Sequence, residues 1–201
     1  MRSPILAVFT VGVLTALSVR AGENAPALDE KAQVQAFWQT ISKADKPELK
    51  ADAVYMLRGL KSKEAYAALT GLLGFTDPGV RRNACRVIAE ADDPNGYFVK
   101  ALMGPLYDQV LEVRQEAAAA LSKSKLRGPA IRALTTALTR EAEKPKPELA
   151  WAYRLHKALS ELSGHEFKEA ENAADLAQQW QTWWNEHRSD LETEEAAKAA
   201  P

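Results

Sequence analysis

Residues 80–88 read Val80-Arg81-Arg82-Asn83-Ala84-Cys85-Arg86-Val87-Ile88, and the skeleton of that phrase is written three times. Leu49-Lys50-x-x-Ala53-x-x-x-Leu57 precedes it by 31 residues, and Val113-Arg114-x-x-Ala117-x-x-x-Leu121 follows it by 33. A second phrase lies between the copies: Ala68-Leu69, Ala101-Leu102 and Ala133-Leu134. Both phrases have helical spacing and share one period near thirty-two residues. Two helical registers repeating together describe helix pairs stacked in a row, a solenoid. One such pair cannot bury its apolar face alone, so each leans on the next. Molecules of this shape usually bind other macromolecules.

Punctuation supports the division. Asp29-Glu30 opens a helix whose Val34, Phe37, Trp38 and Ile41 form one apolar stripe, suited to cap the stack. Pro47 starts the first pair, with Leu49, Ala53, Val54, Leu57 and Leu60 on its apolar face. Asp77-Pro78 starts the second, and the third begins near Val110. Asp92-Asp93-Pro94-Asn95-Gly96 is a turn, since it lacks the spacing and distal Glu of a calcium loop. Trp151, Leu155, Ala158, Leu159 and Leu162 line the last first-helix, which Gly164 stops. Asn172 caps a final helix bearing Leu176, Trp180, Trp183 and Trp184. No stretch alternates as a strand does, so the class is all-α.

The Asp77-Pro-x-Val-Arg-x-x-Ala phrase resembles the HEAT repeat, above all the short bacterial variety named after phycobiliprotein lyases. Ala158-Leu159-x-x-Leu162-Ser163-Gly164-His165-Glu166-Phe167, followed by Trp180-x-x-Trp183-Trp184, is similar to an ending found on exported bacterial HEAT proteins. The resemblance implies a right-handed α-solenoid of about four helix pairs over residues 47–187. An N-terminal capping helix lies within 22–46, behind a linker, and the Trp-rich helix caps the other end. It also implies that Arg81 and Arg114 form a ladder with loop carboxylates, for which Asp77 and Asp108 are available. From Arg188 the chain turns acidic and alanine-rich, and residues 188–201 are expected to be a disordered tail.

Residues 1–21 read as a secretory signal peptide: Met1-Arg2, an apolar run from Ile5 to Val19, then small residues. Cleavage after Ala21 and after Ser18 both fit. An uncleaved anchor is the other reading, although the run is shorter than the roughly twenty residues that span a bilayer. The expected location is therefore periplasmic or secreted. The chain holds 26 basic and 27 acidic residues, and losing Arg2 and Arg20 leaves it mildly acidic. That balance lacks the footprint of a nucleic-acid or lipid-surface protein. The one cysteine, Cys85, sits in a helical core position, where a small buried residue is the plain reading.

Catalytic patterns are absent from the sequence. His156, His165 and His187 have no metal spacing, and no phosphate loop or nucleophile motif occurs. No cofactor and no metal are expected. Trp180, Trp183 and Trp184 read as a seal over the end of the core. In HEAT-like stacks the return helices line the concave face. Alignment on Leu69, Leu102 and Leu134 then offers Lys100, Met103, Tyr107, Arg132 and Thr135 as the binding surface. The expectation is a non-catalytic, monomeric scaffold for a protein partner. The alternatives are a wall- or carbohydrate-binding module using the tryptophans, and an accessory subunit of a lyase-like enzyme.

Overall fold

The computed structural model describes residues 29–199 apart from 94, 168 and 169, with side chains given up to 193. The apolar run read as an export signal lies outside the described residues. Among the described residues nine α-helices follow one another: α1 (Glu30–Lys43), α2 (Pro47–Ala53), α3 (Lys63–Leu72), α4 (Pro78–Glu90), α5 (Tyr97–Leu102), α6 (Leu111–Leu121), α7 (Arg127–Ala142), α8 (Leu149–Ser163) and α9 (Ala173–Ala199). Short 3-10 turns extend α2 over Val54–Leu57 and follow α5 over Pro105–Tyr107. The described residues contain no strand.

The helices form two layers. In one, α2, α4, α6 and α8 each pack on the next. In the other lie α1, α3, α5, α7 and α9, the return layer. The alanines at 53, 84 and 117 are all buried, the last two completely. A methyl group at each crossing lets the neighbouring helix come close enough for Val80, Ile88, Leu121 and Leu155 to interdigitate. The expected α-solenoid is therefore what the chain forms.

Local chemistry explains the boundaries. Asp29 and Asp77 accept the backbone N–H of Ala32 and Val80 at 2.7 and 3.1 Å, capping α1 and α4. Asp93 accepts from the N–H groups of both Tyr97 and Phe98 at the start of α5. Gly104 and Pro105 stop α5 after six residues and turn the chain through a 3-10 bend. Gly96 holds a left-handed φ of 61°, and a Cβ there would meet Leu126 Cδ1 at 2.3 Å. The turn before α5 is thus pressed onto the turn before α7.

Two expectations change. Leu49, placed on the buried face of α2, is 54% exposed. Its counterparts Val80 and Val113 are covered by the preceding helix of the same layer, and among the described residues no helix of that layer precedes α2. The second change is at the C-terminus. Residues from Arg188 to Ala199 continue α9 rather than forming a disordered tail. His187 and the buried Leu191 extend the stripe of Trp180, Trp183 and Trp184, and the glutamates and alanines that follow Leu191 are strong helix formers.

Filling one alanine column tests the packing. Ala117→Leu should lower the stability by about 1–3 kcal/mol through overpacking. Ala67→Leu, on an exposed position of α3, should stay within about 0.5 kcal/mol. Urea unfolding followed by circular dichroism reads both.

Candidate functional site: the return-layer face

The short α5 leaves room on the return layer. Between α5, the first turns of α7 and the far half of α9 runs a groove of about 630 Å³. Val99, Met103, Leu126 and Ala133 give it an apolar lining, and Lys100 and Arg132 stand on its walls. Trp184 and Glu192 of α9 close the other side. Since these two reach the start of α7, α9 runs back along α7 toward its N-terminus.

The structure thus gathers Lys100, Met103 and Arg132 in one groove. Tyr107 is exposed just beyond, with the Arg140 guanidinium 4.8 Å above its ring. Thr135 does not belong with them, because it is 2% exposed. Helix α7 is packed by α8 on one side and by α9 on the other. Only a narrow stripe through Pro129, Arg132, Thr136 and Arg140 reaches solvent, and Thr135 lies outside it. Its Oγ1 is buried without a partner. Sequence reasoning misses Glu192, which falls in the stretch expected to be a disordered tail. Continuing the apolar stripe of α9 past Trp184 to Leu191 would have found the helix that carries it.

Charge on this face is sorted. Every exposed charged side chain of α5 and α7 is cationic: Lys100, Arg132 and Arg140. The one carboxylate of α7, Glu141, is buried, where it accepts from the Glu148 N–H at 2.7 Å and pairs with Lys144. Arg127 is held by the carbonyls of Leu162 and Ser163 at 3.1 and 2.9 Å.

A ladder of ion pairs fixes the pitch of the repeats, and with it the spacing of the return helices. Arg81 grips Asp108 through two hydrogen bonds, at 2.6 and 2.9 Å, while Arg114 pairs with Glu148. Each arginine therefore reaches forward into the next repeat. Asp77, an alternative partner by sequence, instead caps its own helix. Arg58–Glu90 and Arg86–Glu116 make the same forward step farther out. The hydrogen bonds from Arg81, aided by the Val110 N–H, hold the Asp108 carboxyl below its ordinary range against the opposing effect of burial. The same pairing raises Arg81. Behind the ladder, desolvation pushes the Cys85 thiol up to about 12, so this sulfur is an inert core group.

The tryptophans seal the far end. Trp180 is fully buried and donates its indole N–H to His156 Nδ1 at 3.0 Å. Trp183 is 8% exposed, with the His187 ring stacked on it at 4.3 Å and 10°. His165 approaches the same indole at 6.0 Å. Trp184 is half-buried against the core. No pair of open, coplanar indoles is available to a sugar, as the carbohydrate reading requires. His165 and His187 do come together in a shallow cleft of about 550 Å³ with Phe167, Asp175 and Glu186. Among the described residues, no group of three or more His, Cys, Asp or Glu could hold a metal ion. None of their helices is long and apolar enough to cross a membrane.

Residues 34–121, from α1 to the end of α6, match the family model for HEAT repeats. No curated protein and no solved structure matches the chain.

Removing the ladder carboxylate gives a pH-dependent test. Asp108→Asn should cost roughly 1.5–3 kcal/mol at pH 7, by breaking a charge-assisted pair. The folded-state pKa is depressed, so the wild-type advantage is complete above about pH 5. It should shrink as pH falls below the ordinary carboxyl value of 3.8 and through the folded value. Unfolding of both proteins across the acid-to-neutral range would show the two curves drawing together as pH falls below 3.8.

Proposed function

We propose that this HEAT-repeat protein is a non-catalytic, exported scaffold that binds a protein partner in the cell envelope through its return-layer face. HEAT repeats generally serve as protein-interaction scaffolds. The observation that carries the finer reading is the groove between α5, α7 and α9. It is open, apolar at its base and flanked by cations, on a face where the layer is interrupted. The scaffold reading also accounts for the polar network. The ladder pairs join successive repeats, the aspartate caps fix the starts of their own helices, His156 accepts the Trp180 indole N–H across α8 and α9, and His187 stacks on Trp183 within α9.

Export rests on Met1-Arg2 and the apolar run to Val19. The mature chain would act as a monomer, with its ends closed by α1 and by the Trp-rich part of α9. Nucleic acid and lipid surfaces are not its targets on this reading, because basic and acidic residues nearly balance.

Two measurements test the reading. N-terminal sequencing of the protein from an envelope fraction should begin at Gly22 or Val19. An intact Met1 in the cytosol would contradict export. For binding, a photoreactive residue at exposed Met103 should cross-link one discrete protein in cells. The same residue at Leu49, equally exposed on the other layer, should not. Equal labelling at both positions, or none at Met103, would overturn the assignment of the face.

A further inference from the structure

The return-layer face carries chemical information about its occupant. Six large apolar side chains stand exposed among the described residues: Trp38, Leu49, Tyr97, Met103, Tyr107 and Leu149. Three of them, Tyr97, Met103 and Tyr107, belong to α5 and the bend after it. Exposed apolar surface is thus concentrated on the shortest helix of the layer, where contiguous patches mark interaction sites. A second cleft of about 610 Å³ lies on the other side of α5, between Tyr66, Ala67 and Tyr97. Lys61 and Lys63 stand on its rim together with Asp92 and Asp93.

The exposed charges that α5 and α7 set beside this surface have one sign. Lys100 and Arg132 flank the groove, and Arg140 lies over Tyr107. None of the three is engaged in an ion pair among the described residues. The nearby acids are occupied elsewhere. Asp92 is bound by Lys125 at 2.7 Å and Lys61 at 3.3 Å, and both hold its carboxyl below the ordinary range. Asp93 caps α5, and Glu141 is buried under Lys144. Glu192 is the one acidic wall of the groove. A chain with 27 acids and 26 bases has therefore placed unpaired cations beside its most apolar exposed helix. Cations left without partners at a rim cost little in water and steer an oppositely charged ligand.

We propose that the occupant is an acidic segment of another protein, with carboxylates on either side of apolar side chains. The inference rests on the reading above that this face binds protein. Its apolar residues would enter between Val99, Met103 and Ala133, and its carboxylates would meet Lys100 and Arg132. Arg132 and Arg140 offer forked donors that suit carboxylates. A nucleic acid or an anionic membrane fits less well. Three cations make a small footprint for a phosphate backbone, and the groove base is apolar rather than a stacking platform.

The experiment uses the full mature chain. Random sixteen-residue peptides displayed on phage are selected against it, and the enriched peptides are measured by fluorescence anisotropy. The enriched set should be net acidic with interspersed apolar residues. Its affinity should fall as salt rises, because exposed charges are screened over about 8 Å at physiological ionic strength. Lys100→Glu combined with Arg132→Glu should weaken binding by about tenfold or more. Lys50→Glu on the opposite layer should leave it unchanged, and circular dichroism should show both variants folded.

Neutral or basic consensus peptides would overturn the proposal, as would failure to enrich any peptide or binding that survives the double reversal. Tighter binding to a single-stranded oligonucleotide or to phosphatidylglycerol vesicles than to every selected peptide would also overturn it. The two readings can be separated. If Met103 still cross-links its protein in the doubly reversed variant, the face stands and the acidic class falls.

Discussion

Everything in this molecule depends on how closely the helices of one layer approach each other. Ala53, Ala84 and Ala117 put a single methyl group at successive crossings, and all three are buried. A larger side chain there would separate the helices and leave Val80, Val113 and Leu121 short of their neighbours. Close approach also sets the reach of the ladder. Arg81 can grip Asp108 with both arms only because the next repeat lies within one side-chain length. Apolar contact supplies the attraction, and the ion pairs fix the pitch.

The return layer has looser rules, and the difference gives it a use. Its helices vary from the six residues of α5 to the twenty-seven of α9. A short helix beside two longer ones leaves a groove, whereas a uniform layer would close it. Gly104-Pro105 shortens α5, and Gly96 lets its first turn sit against Leu126. The groove therefore follows from backbone chemistry at three residues. The rigid layer behind it holds Lys100 and Arg132 at a fixed separation, which lowers the entropy lost when a partner binds.

Much of the fold was legible in the sequence because repetition doubles every signal. The alanine at 84 means little alone, but with 53 and 117 at the same phase it specifies a column. The caps at Asp29 and Asp77 were readable for the same reason: one residue type in one local geometry. Less was legible where a contact joins distant positions. Asp108 and Glu148 could be chosen as ladder partners only once the pitch was known. Asn83 is buried and donates to the Ala51 carbonyl at 2.8 Å, a bond that crosses 32 residues. Thr135 was misplaced because alignment treated α7 as packed like α5, whereas α9 covers one more of its sides. The tail was misread because composition hid one buried leucine, Leu191, two turns beyond Trp184.

The central claim is that helix pairs borrow their stability from neighbours along one seam. Native-state hydrogen exchange in rising, sub-denaturing urea tests it most directly. The account predicts that amides of α4, α6 and α8 converge on one opening free energy, since none of these helices survives without the next. If α2–α4 and α6–α8 exchanged as separate units, with no shared limit, the seam would not be what holds the molecule together.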